Sequence, residues 1–174
     1  VIDLKKQTGI GKNSKAQVAL VVDYSGSMSS LYSNGTVQDT VERILPLGLA
    51  FDDDGSVDSY LFHHDYKELA PITQENLEGY VNREFMKHQM GMTNYAPVLK
   101  AIRDKCQPTK SGGFLGMGGK EQPMEYPVYV IFITDGDNGD KSETEAIVKE
   151  MSKQGFFIQF IGIGGERFSF LEKL

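Results

Sequence analysis

The sequence predicts an α/β fold: a mostly parallel central sheet, helices on both faces and one antiparallel edge strand. Three observations predict it. Residues 17–22, 126–134 and 156–163 are continuous apolar runs of the kind found in strands covered on both faces. Helical patterns separate those runs, which is the signature of parallel strands joined by crossovers. Polar, oxygen-bearing residues then follow two of the runs directly: Asp23-Tyr24-Ser25-Gly26-Ser27 after the first and Asp135-Gly136 after the second.

The elements follow in order. Residues 1–14 mix lysines, glycines and asparagine and read as a linker or N-terminal arm. Residues 17–22 form the first strand. Ser33-Asn34-Gly35 mark a turn, and Val37, Val41, Ile44 and Leu45 share one face of a helix over 36–51. Pro46 interrupts that helix and predicts a kink. Residues 57–62 form a short strand, and 66–70 an antiparallel edge strand closed by Pro71. A helix is expected over 74–87, capped by Thr73. Another is expected over 95–105, with Pro97 in its first turn.

Five glycines within 107–124 predict a flexible insertion. After the strand at 126–134, Ser142-x-x-Glu145 is a capping box opening a helix to 153, and Gly155 ends it. The strand at 156–163 follows, then the start of a helix over 166–174. Right-handed crossovers place the first and fourth strands side by side, with Asp23 and Asp135 as neighbours at their C-terminal ends.

Bulk properties bound the function. A chain of 174 residues suits one core, and 40% hydrophobic with 24% charged residues is a soluble globular composition. A net charge of −6 argues against a nucleic-acid surface, which needs a concentrated basic face. The single cysteine, Cys106, excludes an internal disulfide and a CxxC zinc site, fits a reducing, cytoplasmic setting and reads as structural. No run reaches the length of a membrane span and no signal sequence opens the chain. The first residues read as mid-protein sequence, as in a fragment of something longer.

The chemistry is concentrated in three segments: Asp23-x-Ser25-x-Ser27, Gly91-Met92-Thr93-Asn94 and Ile133-Thr134-Asp135-Gly136. Hard oxygen groups gathered at strand ends suit a small divalent cation. None of the three segments carries His, Cys or Lys, so no general base or activated nucleophile stands out.

Other clusters carry less. Asp52-Asp53-Asp54-Gly55-Ser56 fails the EF-hand spacing, because position twelve from Asp52 is His63; it reads as a helix-ending acidic turn. His63 and His64, if on a strand, point to opposite faces and cannot share a metal; a hairpin turn is their expected role. His88 reads as isolated. Asp137, Asn138 and Asp140 shape the rim of the site or form a solvated loop capping the helix at Ser142. The glycines at 112–119 lack the Lys and Ser/Thr of a phosphate loop, and Phe114, Leu115 and Met117 among them offer a partner contact.

In order along the chain, Asp23-x-Ser25-x-Ser27, Thr93 and Asp135 resemble the metal-ion-dependent adhesion site, or MIDAS, of von Willebrand factor A (vWA) domains. The resemblance runs from Lys15 to the end. Asp23-Tyr24-Ser25-Gly26-Ser27-Met28, Phe51-Asp52-Asp53-Asp54-Gly55, Gly91-Met92-Thr93-Asn94-Tyr95 and Phe132-Ile133-Thr134-Asp135-Gly136 are similar to the bacterial branch linked to tellurium resistance. Copine A domains are less similar.

The resemblance implies a Rossmann-like three-layer α/β/α fold over 15–174. It also implies that a C-terminal strand of the usual domain is missing. Ser25, Ser27 and Thr93 are then metal ligands, with Asp23 and Asp135 acting directly or through water. The expected cation is Mg2+, with Ca2+ or Mn2+ fitting the same oxygens. The implied function is a cytoplasmic, non-enzymatic stress-response module that captures a partner's Asp or Glu carboxylate, other Ter proteins among the candidates. The rival reading is a magnesium-dependent phosphotransferase of haloacid-dehalogenase type. It needs a second aspartate at position 25, which is serine.

Overall fold

The computed structural model describes residues 15–107, 124–136, 138–165 and 168–174. The expected arm at 1–14, nearly all of the glycine-rich insertion and Asp137 lie outside the described residues.

Among the described residues, five strands form one sheet: β1 (Gln17–Asp23), β2 (Val57–Phe62), β3 (Tyr66–Ile72), β4 (Val128–Thr134) and β5 (Phe156–Gly162). Their spatial order is β3-β2-β1-β4-β5. Every pairing is parallel except β2 with β3. β1 and β4 lie side by side, with Val22 opposite Ile133, so both strands deliver their C-terminal ends to one place. The helices are α1 (Ser29–Ser33), α2 (Thr36–Phe51), α3 (Tyr80–Glu84), α4 (Ala96–Cys106) and α5 (Lys141–Met151).

Side chains alternate across β1, and both faces are buried. Val18, Leu20 and Val22 join the core under α2 and α3, together with Val41, Leu45, Val81 and Ile131. Ala19 and Val21 join the core under α4 and α5, with Phe62, Leu99, Phe132 and Met151. Period-two alternation with cover on both sides explains why this strand reads as an unbroken apolar run. Gly48 lets α2 approach closely: a Cβ there would stand 3.4 Å from Val18 and 3.5 Å from Ile131.

Several elements differ from the sequence expectation. The helix expected over 74–87 is reduced to α3 and a 3-10 turn over Phe85–Lys87. Gly79 sits at φ 66° in the left-handed region, which a continuing helix cannot use. Thr73 does not cap; its own N–H donates to the Asn76 side chain at 2.9 Å. The helix expected at 166–174 is, among the described residues, a 3-10 turn over Leu171–Lys173.

α5 begins at Lys141 with Asp140 in the capping position, so Ser142 lies inside it and the expected capping box is displaced. α2 continues through Pro46, which is exposed. Pro71 falls where the β2–β3 register shifts, a position on an edge strand that tolerates a missing donor.

Candidate metal centre

Asp23 ends β1 and is fully buried. Its two oxygens do different work. Oδ1 accepts from the Ser25 N–H at 2.8 Å, holding the turn that follows the strand. Oδ2 accepts from the Thr134 hydroxyl at 2.6 Å, tying β1 to the last residue of β4. Burial pushes the Asp23 carboxyl up to about 6, against the lowering effect of these hydrogen bonds; the Asp135 charge adds to the rise. Beneath it, the buried Tyr32 hydroxyl donates to the Asp23 carbonyl at 2.7 Å. Burial above all holds that phenol far above its ordinary value.

Ser25 is buried and Ser27 exposed, on a turn that becomes a 3-10 segment over Gly26–Met28. Ser25 Oγ lies 3.0 Å from Ser27 Oγ, and Ser27 Oγ donates to Asp135 Oδ1 at 3.0 Å. Two hydroxyls and one carboxylate from β1 and β4 thus form a chain of neighbouring oxygens. Adjacent corners of an octahedron with the ~2.1 Å bonds of magnesium stand about 3.0 Å apart. The donor set is all hard oxygen and its spacing fits such a cation.

The Thr93 loop reaches the same place by backbone pairing. Gly91 bridges to Ser25: the Gly26 N–H donates to the Gly91 carbonyl at 3.0 Å, and the Gly91 N–H to the Tyr24 carbonyl at 3.2 Å. Gly91 is tightly packed: a Cβ there would stand 2.8 Å from His64 Nδ1. The Asn94 N–H donates to the His63 carbonyl at 2.9 Å, and the Gly139 N–H to the Thr93 carbonyl at 2.8 Å. Thr93 is therefore held between the β2–β3 turn and the segment after Asp135. All five sequence-predicted residues lie on segments that meet at the C-terminal ends of β1 and β4.

Sequence reasoning placed Thr134, Tyr95 and Asp140 near the site but missed what each does to build this end of the sheet. Thr134 links Asp23 to the buried Tyr95 hydroxyl, 3.0 Å away. That hydroxyl donates to the Gly136 carbonyl. Asp140 accepts from the Tyr95 N–H at 3.0 Å and the Ala96 N–H at 2.7 Å, so it caps α4, an element 44 residues earlier. The only hint was placement: Thr134 and Tyr95 stand one and two residues from predicted site residues.

The other clusters resolve as follows. Asp52 Oδ1 accepts from the N–H groups of Asp54, Gly55 and Ser56, and Oδ2 from the Val18 N–H. Asp52, Asp53 and Asp54 stand close enough to share an ion, but Asp52 is committed to the backbone, as the helix-ending turn requires. His63 and His64 do not point apart. They stack in the hairpin turn with ring centroids 4.3 Å apart, because they lie beyond the end of β2 and not on it. His88 is half-buried where the 3-10 turn over Phe85–Lys87 ends, its N–H donating to the Phe85 carbonyl at 3.0 Å. Cys106 is partly buried, and burial pushes its thiol up to about 11, an unreactive state. No described helix is long and apolar enough to cross a membrane.

Comparison with known proteins places this geometry. A Bacillus subtilis protein named YcbR, itself uncharacterised, is 37% identical over 163 residues. The match covers 91% of this chain and 61% of YcbR, so the chain spans about three-fifths of that relative. Among solved structures, proximal thread matrix protein 1 from mussel byssus superposes with a TM-score of 0.60 at 18% identity, over 92% of this chain and 41% of that one. A form of the same protein with a zinc-occupied MIDAS motif gives 0.55 at 19% identity, over 90% and 37%. BatB from Bacteroides thetaiotaomicron gives 0.57 at 17% identity, over 86% and 67%. These likenesses establish the fold. The family model for the vWA domain found in the TerF C terminus matches residues 15–174, and the chain belongs to that TerF-like vWA family.

Proposed function

We propose that this domain is a magnesium-dependent protein-interaction module. Ser25, Ser27 and Thr93 would hold the cation through their hydroxyls, with Asp135 beside them. Asp23, whose oxygens already accept from Ser25 and Thr134, would act through its charge and through water. The cation, when bound, supplies an electrophilic position that a partner's Asp or Glu carboxylate completes. Among the described residues, two carboxylates, Asp23 and Asp135, accompany the three hydroxyls, so the dication keeps affinity for a third.

The observation that carries the proposal is the 3.0 Å spacing from Ser25 Oγ to Ser27 Oγ and from Ser27 Oγ to Asp135 Oδ1 at the switch point of the sheet. Met92, 76% exposed and next to Thr93, adds an adaptable apolar contact for the partner. No His, Cys or Lys occurs in the three site segments, which supports capture and not catalysis. Membership of the TerF-like family supports a link to tellurium resistance, and on that reading we place the domain in the cytoplasm with other Ter proteins as its partners.

Calorimetry with Mg2+ and Mn2+ tests the site. The wild-type domain should bind one cation, Asp23→Ala should abolish binding and Thr93→Ala should weaken it about tenfold, while circular dichroism stays native. Partner capture from a lysate should require Mg2+ and be lost with EDTA. Magnesium-dependent turnover of para-nitrophenyl phosphate that Asp23→Asn removes would transfer the site to the phosphotransferase reading.

A further inference from the structure

The ligands proposed above come from three segments far apart in sequence, and something must hold the Thr93 loop against the Asp135 loop. Backbone pairing fixes Gly91 to Ser25, but that bond lies two residues before Thr93. On the other side of Thr93 stands Tyr95, fully buried and held at both ends. Its hydroxyl meets Thr134 and Gly136 at the end of β4. Its N–H, with that of Ala96, is taken by one carboxylate, Asp140.

Asp140 is in turn fixed within its own segment. The Asn138 amide donates to Asp140 Oδ1 and, at 2.7 Å, to Thr144 Oγ1. Thr144 Oγ1 donates to the same carboxylate oxygen at 3.2 Å. Between these contacts the Gly139 N–H donates to the Thr93 carbonyl, and Gly139 packs so closely that a Cβ would stand 3.1 Å from Asn94 Oδ1. Gly139 and Asp140 therefore grip the backbone at and just after Thr93, through its carbonyl and the N–H groups of Tyr95 and Ala96.

We infer that Asp140 is a positioning residue for the cation: by capping α4 from the segment that follows Asp135, it holds Thr93 at the distance from Ser25, Ser27 and Asp135 that one ion needs. A carboxylate suits this task because its two oxygens accept two successive N–H groups at once, and charge strengthens both bonds. The inference rests on the reading of Thr93 as a ligand.

A double-mutant cycle on Mn2+ binding tests it, using Thr93→Ala, Asp140→Ala and the double variant of the whole chain. Affinity is read from the electron paramagnetic resonance of free Mn2+, and the number of waters on bound Mn2+ from proton relaxation. Removing a group that orients a metal ligand typically costs 10–100-fold in affinity. Asp140→Ala should weaken Mn2+ about tenfold and add one water, as Thr93→Ala does. In the Thr93→Ala background, Asp140→Ala should change affinity less than about twofold, since coupled residues are not additive.

Asp140→Asn keeps one acceptor and should fall between wild type and Asp140→Ala, which covers the case in which the alanine variant does not fold. Multiplying losses, or an unchanged water count in Asp140→Ala and Asp140→Asn, would overturn the positioning role while leaving Thr93 a ligand. If Thr93→Ala itself changes neither affinity nor hydration, the ligand assignment and this inference both fail.

Discussion

Two buried aspartates stand at the ends of neighbouring elements, and they do opposite things. Asp52 follows α2 and accepts four backbone N–H groups, from Val18, Asp54, Gly55 and Ser56. Asp23 ends β1 and accepts one N–H and one hydroxyl, with Asp135 and two serine hydroxyls across the gap. Asp52 lies in the denser acidic run, yet its charge is consumed in closing a turn. Asp23 lies among hydroxyls, and its charge is left to act on the site. The lesson is that backbone donors decide which acidic residues can serve a cation; the number of carboxylates in a row does not.

The comparison can be broken at its structural end. Asp52→Ala strips the partner from four N–H groups, and should cost about 4 kcal/mol of stability by chemical denaturation. The response to Mg2+ should survive, because Asp52 takes no part in the site. A lost Mg2+ response in a folded Asp52→Ala domain would show that the acidic turn belongs to it.

The next effect concerns pH. In the metal-free protein the Asp23 carboxyl is raised to about 6 from 3.8. Between those values the folded state holds a proton that the unfolded state has released, so stability falls as pH rises from about 4 to about 6. The fall should be about 3 kcal/mol. Asp23→Asn should flatten it, and saturating Mg2+ should offset it, since the cation favours the ionised carboxylate. Denaturation curves in EDTA from pH 4 to 7 measure this, and an increase in stability over that interval traceable to Asp23 would reverse the argument.

Smaller effects sharpen the picture. Thr134→Val removes the hydroxyl shared by Asp23 and Tyr95, and should cost about 1–2 kcal/mol. It should also move the Asp23 transition to higher pH, because that hydrogen bond favours the ionised form. Gly91→Ala places a Cβ 2.8 Å from His64 Nδ1 and 3.1 Å from His63 Cβ. Since the imidazole can swing aside, the expected loss is about 1 kcal/mol, read from the thermal midpoint.

What the sequence made legible follows from range. The spacing of Val37, Val41 and Leu45 marks α2 because all three face one core. β1 and β4 are legible because both of their faces are buried. The helix expected over 74–87 is shortened to α3 and a 3-10 turn, because composition favours a helix while Gly79 adopts a left-handed conformation. Ser142 looked like a cap, but Asp140 takes that position at α5 while its side chain caps α4. The His63–His64 stack forms only because the chain turns there. For the site, motif order pointed to the segments, whereas Thr134, Tyr95 and Asp140 hold them together by contacts that no local pattern encodes.

The central claim is that Ser25, Ser27 and Thr93, with Asp23 and Asp135, hold one divalent cation at the ends of β1 and β4. Anomalous diffraction from crystals grown in Mn2+ addresses it directly. The account predicts a single strong peak within bonding distance of the Ser25, Ser27 and Thr93 hydroxyls. A peak at Asp52–Asp54 instead, or no peak among the three hydroxyls at saturating Mn2+, would contradict it.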